Sequence, residues 1–330
     1  MVLAGGSSGL LAMVGSVIVF ACSVVEFDSS YFESDDGVKP ALPLEPSPLP
    51  NNNLRTLAEA EIPLPAWWTM QKRSDVSCHL VDVTSDRNLK RAIERGLHTT
   101  AHAVCKGRDG TSSFRDAKIV SIHRIENWAL WKQYWHRKDE MLDHHKANGI
   151  RLQPLDPPAK EIILQRDDGN SSVPPAVGGK LNRWKSEEGR ADGRSYIAKN
   201  LNECYLYHGT SAEVASIISK HGFDERVGNV MGLYGAGVYF ANQSCKAGQY
   251  TEKGKDNKTM IISRVMLGDP FYIAGKMQQA RRPPDRKKGP VGTTYDSVVA
   301  NQTQTQIHRE FIIYEHRQAY PEYIIVYREQ

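Results

Sequence analysis

His208 and Gly209 stand side by side at the end of a short apolar run, 205–207, so a titratable ring and an unobstructed backbone amide emerge at one strand tip. Tyr239 lies in a second apolar run, 237–241, and Tyr250 follows on a short helical turn that Ser244 is placed to cap. A polar anchor, a glycine-lined bend and two aromatic faces within one βα unit read as a small-molecule cleft. The helix between the two runs has its own signals. Thr210 with Glu213 fits a capping box, Val214, Ile217 and Ile218 make an apolar stripe expected to be buried, and Gly222 is placed to stop it.

Gly232, Gly235 and Gly237 precede a strand instead of opening a helix. They are therefore neither a Walker loop nor a dinucleotide fingerprint, both of which set a helix N-terminus at the phosphates, and close backbone approach is what they imply. Taken together, YLYHGT at 205–210, GAGVYFA at 235–241, the lysine and tyrosine of KAGQY at 246–250 and the late REFIIYEHRQAYPEYII at 309–325 resemble the catalytic domain of the poly(ADP-ribose) polymerase family. The GFDER and QAYPEY segments are similar to tankyrases, and the part before them resembles the macro-domain-bearing members. The resemblance runs from about residue 63 to the C-terminus with one long insertion.

The resemblance implies an α+β fold of the ADP-ribosyltransferase, diphtheria-toxin-like type: two packed mixed or antiparallel sheets with helices around an NAD cleft. It also implies roles. His208, Tyr239 and Glu310 match the family's His-Tyr-Glu triad, in which the histidine holds a ribose hydroxyl of NAD, the tyrosine packs on the nicotinamide and the glutamate polarises the nicotinamide ribose. A carboxylate is suited to that task, because breaking the nicotinamide–ribose bond develops positive charge on the sugar. Gly209 is implied to meet the carboxamide through its backbone, Thr210 and Gly237 to flank the cofactor, and Tyr250 to complete an aromatic sandwich. Lys246, four residues before Tyr250, shares its helical face and matches a lysine kept near the acidic group. The family usually has a serine where this chain has Ala247, and its loss removes one hydrogen bond to the carboxamide.

The activity so implied is transfer of ADP-ribose from NAD to protein side chains, with the enzyme's own as candidate acceptors, with release of nicotinamide and with elongation to poly-ADP-ribose permitted by Glu310. No metal is required. Two other readings stand beside it. One is an NAD-pocket binding module with weak or no transferase activity. The other, a toxin-like arginine-directed transferase, needs an acidic residue two before the glutamate, where this chain has His308.

The chain of 330 residues is 40% hydrophobic and 24% charged with a formal charge of +4, enough for one sizeable core and too little charge to demand nucleic acid. The basic run 281–288 is proline-rich and reads as a solvated loop. Five cysteines without CxxC spacing speak against structural zinc and a disulfide framework, and favour a reducing intracellular compartment, nucleus or cytoplasm. Residues 1–62 form an apolar segment and a proline-rich linker. The stretch that opens on Leu10 and closes on Val25 is nearly all apolar and offers a membrane tether. From 63 to 330 the catalytic domain is expected, with strands near 78–83 and 119–125, a helix near 87–95, and Asn127 capping a helix at 128–143 whose Leu130, Trp131, Tyr134 and Trp135 face a core. Adjacent His144 and His145 face apart on that helix and make a poor metal pair. Proline and paired glycines make 149–194 an insertion.

Overall fold

A computed structural model describes residues 62, 64–65, 68–70, 73, 78–101, 114–155, 201–287, 289–300 and 308–329. The apolar stretch 10–25, the linker and most of the insertion lie outside them. Among the described residues no helix is long and apolar enough to cross a membrane.

Among the described residues nine strands form two sheets. The first is wholly antiparallel and has the order β1 (Cys78–Asp82), β2 (Lys118–Asn127), β9 (Ala319–Arg328), β5 (Lys258–Met266) and β3 (Glu203–Thr210). The second runs β4 (Val238–Phe240), β8 (Glu310–Ile313), β7 (Ser297–Ala300) and β6 (Pro270–Ile273), and it is mixed, because β6 and β7 are parallel. Strands β1 and β2 thus join the same sheet as β3, β5 and β9 although 75 residues of chain, 156–200 among them, intervene between β2 and β3.

Period-two alternation explains the packing. On β3, Cys204 and Leu206 face the second sheet and share a core with Ile261, Val265, Val238, Phe240, Phe311 and Ile313. Tyr205 and Tyr207 point the other way; Tyr207 meets Met260, Ile262 and helix α1 (Arg87–Thr100). Continued outward, this alternation sends His208 to the inter-sheet side and the missing side chain of Gly209 to the other.

Helix α1 is longer than its local pattern suggests and is capped by Asp86, which accepts from the backbone of Asn88 and Leu89. Helix α2 (Trp128–Ala147) is capped by Asn127 and buries Leu130, Trp131 and Tyr134, with Trp135 half-buried beside them. Beneath it lies a charged cluster. Arg264 bonds Glu322, Glu203 and the Tyr205 hydroxyl, while Tyr134 and Lys138 reach Glu203 from the helix. His145 is buried against Asp296 at 2.8 Å, whereas His144 is exposed, so the two do face apart.

The loop holding the basic run is not simply solvated. Arg286 is buried, pairs with Asp269 and Asp296 and lies over the Tyr295 ring. Proline and charge mark a loop in sequence, but they do not reveal that two acidic side chains from elsewhere pin it.

Candidate functional site

A cleft of about 940 Å³ opens between β3, β4, the two short helices that follow those strands, and the segment 222–233. The first helix, α3 (Ala212–His221), is capped by Ser211, whose hydroxyl accepts from Val214 N–H at 3.2 Å, and it is closed by Gly222 at φ 80°. The cap is therefore one residue later than the Thr210–Glu213 box implied. Thr210 ends β3, is buried opposite Thr259 and does not line the cleft. Only Ile218 of the expected stripe is buried. Val214 and Ile217 are 42% and 57% exposed and face the cleft, while Ala215 and Ser219 take the inward positions. An apolar stripe has the same spacing whether it faces a core or a pocket.

Helix α4 (Ser244–Gly248) begins at Gln243, not at a Ser244 cap; the Ser244 hydroxyl instead donates to the Leu97 carbonyl at 2.6 Å, tying α4 to α1. Gly209 makes the cleft possible from below. A Cβ there would stand 1.8 Å from the Ala247 carbonyl oxygen, so the strand tip and α4 touch backbone to backbone. The three glycines before β4 serve the same end: Cβ atoms at Gly235 and Gly237 would fall 2.1 Å from Ala280 O and 2.3 Å from Ile312, and Gly235 has φ 77°.

Around this frame the side chains converge. His208, Gly209, Gly237, Tyr239, Lys246, Ala247, Tyr250 and Glu310 all line the cleft. His208 is half-buried with its ring edge-on to Phe223, centroids 5.1 Å apart. Its Nδ1 lies 2.9 Å from the Tyr239 carbonyl, which can only accept, so Nδ1 carries the proton and Nε2 of the neutral ring is left as an acceptor. Burial pushes the ring below the usual histidine value, against the pull of that carbonyl. Tyr239 is fixed at its hydroxyl, which donates to Gly235 O at 2.8 Å and accepts from Tyr234 N–H at 2.9 Å; burial pushes its pKa up to about 12.

Glu310 is buried at the start of β8, and its Oε1 lies 3.2 Å from Lys246 Nζ. Lys246 also lies 3.3 Å from the Tyr250 hydroxyl and 5.3 Å from its ring centroid. Burial works against the charge on Lys246, but Glu310 and Tyr250 outweigh it and raise its pKa above the ordinary lysine value. Tyr250 is 57% exposed, one flat face at the mouth of the cleft. Two contacts had no signal in the sequence. His308 Nδ1 bonds Gln243 Oε1 at 2.7 Å, a second tie between the approach to β8 and α4. His316, on the turn after β8, meets Glu225 at 3.0 Å across the cleft rim. Among the described residues no group of three or more His, Cys, Asp or Glu side chains is placed to hold a metal.

Two sheets, one antiparallel and one mixed, with a polar-anchored aromatic cleft at their shared end, define an ADP-ribosyltransferase fold. Residues 180–329 match the family model of the poly(ADP-ribose) polymerase catalytic domain. The chain is 35% identical to protein mono-ADP-ribosyltransferase PARP12 of Mus musculus over 130 residues, 39% of this chain and 17% of that protein. Human PARP12 is 36% identical over the same length, and mouse PARP11, also named a protein mono-ADP-ribosyltransferase, is 31% identical over 146 residues that make up 38% of this chain and 42% of that protein. The chain thus spans about a fifth of PARP12 and two fifths of PARP11.

Proposed function

We propose that the protein transfers ADP-ribose from NAD to protein side chains and releases nicotinamide, on a domain of diphtheria-toxin-like type running from about residue 63 to 330. The observation that carries the reading is the convergence of His208, Tyr239 and Glu310, from three different strands, on one cleft. The residues fit the dinucleotide: a ring nitrogen left as acceptor suits a ribose hydroxyl, and the Gly209 backbone and the Tyr239 and Tyr250 rings suit a flat amide-bearing base. When bound, NAD supplies an ADP-ribosyl group on a cleavable bond to nicotinamide.

The rest of the chemistry belongs to the chain. His208, held by the Tyr239 carbonyl, orients a hydroxyl through Nε2. Glu310 places negative charge where the sugar becomes positive, and Lys246 holds that carboxylate in a fixed position. Tyr239, clamped at both ends of its hydroxyl bonding, offers a ring that does not need to be ordered on binding.

The matched relatives are named mono-ADP-ribosyltransferases, which favours single-unit addition. Elongation is a second reading, supported by the Glu310 carboxylate. Intact-mass measurement of the purified protein and an acceptor after incubation with NAD separates the readings. One unit per site supports the first, a ladder of units the second, and no adduct with no nicotinamide released favours an NAD-pocket binding module. The protein itself is one acceptor to test, and the same mass measurement reads self-modification directly. An intracellular setting follows from the need for NAD, and fractionation of cells tests it together with a tether at 10–25.

A further inference from the structure

Nine large apolar side chains are exposed among the described residues, and six of them, Val214, Ile217, Val227, Met231, Leu233 and Tyr250, line this single cleft. Exposed apolar residues scattered singly need no explanation, but such a concentration marks a binding surface. Val214 and Ile217 belong to α3 and Tyr250 to the turn beside Lys246. The other three form a separate lip on 227–233, where Val227 and Met231 are 83% and 55% exposed.

The lip is braced from behind. Gln279 N–H donates to Val230 O at 2.9 Å, Met277 N–H to Leu233 O at 2.7 Å, and Ala280 O accepts from Ala236 N–H at 2.8 Å. The bracing strip carries charge of one sign. Lys276, Arg281, Arg282 and Lys287 are exposed on it, and its one carboxylate, Asp285, is already paired with Arg282 at 2.6 Å. Arg286 is paired internally with Asp269 and Asp296, so it anchors the strip without adding to its outward charge. On the lip itself, Arg226 is matched by Asp224. A fixed apolar lip on the cleft is therefore backed by an anchored strip on which Lys276, Arg281 and Lys287 carry outward positive charge.

We propose that lip and strip together select the acceptor, and that the acceptor class they fit is a protein segment carrying acidic side chains beside an apolar one. This rests on the transferase reading above. The apolar side chain takes the lip and the carboxylates meet Arg281 and Lys287. Nucleic acid is the poorer occupant, because residues 276–287 contain no aromatic side chain on which a base can stack.

The test is direct binding, by fluorescence anisotropy, of three labelled peptides to the whole purified protein. One peptide alternates Glu and Leu, the second has Lys for Glu, and the third has Ser for Leu. A single-stranded oligouridylate serves as competitor. The first peptide should bind at least about tenfold more tightly than the other two, and R281E/K287E should lose about that factor while basal nicotinamide release without peptide stays within about twofold. M231S should narrow the gap between the Leu and Ser peptides. Equal binding of the three peptides overturns the proposal, as does no effect of R281E/K287E, or an oligouridylate that binds more tightly than the peptide and loses affinity in the same variant. Absence of nicotinamide release by the wild type defeats the transferase reading instead, and the peptide affinities still decide whether the surface exists.

Discussion

Gly209→Ala tests the joint between strand tip and helix on which the cleft is built. A methyl group there stands 1.8 Å from the Ala247 carbonyl oxygen and 2.7 Å from its carbon, against the 3.4 Å at which ordinary contact begins, so α4 must retreat by about 1.6 Å. It has nowhere to go. Cys245 and Ala247 are packed with Leu97 and Tyr207, Ser244 is bonded to Leu97, and Gly248 already lies so close to Phe114 that a Cβ there would be 2.0 Å from the ring. Overpacking a filled interior costs about 1–3 kcal/mol, and a clash with backbone on both sides belongs at the upper end. At about 2–4 °C per kcal/mol for a domain of this size, the melting temperature should fall by about 6–12 °C. Because Lys246 and Ala247 ride on α4 and Tyr250 follows it, displacement above about 1 Å should also lower nicotinamide release by about a hundredfold. Thermal unfolding by circular dichroism and chromatographic assay of nicotinamide measure the two effects. Gly275→Ala, where nothing lies within 4 Å of the added methyl, is the control and should change neither. A Gly209→Ala protein with wild-type melting and turnover refutes the contact, and one that is destabilised yet fully active refutes the place of α4 in the site.

Glu310→Gln, which keeps shape and removes charge, should lower transfer by at least about a hundredfold, some 2.7 kcal/mol, with a much smaller loss of NAD affinity by calorimetry; near-normal turnover defeats the mechanism. Ala247→Ser restores a hydroxyl on the wall of the cleft and should tighten a benzamide-type ligand by up to about tenfold, about 1.4 kcal/mol, whereas unchanged or weaker binding with an intact fold shows that the position does not face the carboxamide. The lowered pKa of His208 has a definite sign. As pH falls below about 6.5 the unfolded chain takes up this proton before the folded one does, so stability present above that pH is lost toward the folded value. The difference in melting temperature between wild type and His208→Asn should therefore shrink between about pH 7 and pH 5; a constant difference would mean that the ring is not held neutral.

The strands were legible where apolar runs marked them, as in β2, β3 and β4, and the resemblance singled out His208, Tyr239 and Glu310, which line one cleft. What escaped had a physical cause each time. Thr210 and Ser211 are adjacent and chemically equivalent as caps, and only the path of the backbone chooses between them. Val214 and Ile217 have the spacing of core residues, and nothing local says that the surface they face is a cleft. Arg286 sits among exposed cations, and its acids lie on distant segments at 269 and 296. The bonds from His308 to Gln243 and from His316 to Glu225 join residues 65 and 91 apart, beyond the reach of any local pattern.

The buried cluster around Arg264 bears on the fidelity of the cleft as well as on the core. It fixes Tyr205 opposite Arg264, about 10 Å along β3 from His208 at the rise of a strand. A slip of β3 by one residue would part both Arg264 and Lys138 from Glu203 and leave buried charge short of its partner, a fault of several kcal/mol. The same slip would exchange the sides of His208 and Gly209, driving an imidazole into α4 and leaving no acceptor nitrogen in the cleft. A misthreaded chain therefore fails in its interior before it can present a defective binding site, and correct assembly of one is an assurance of the other.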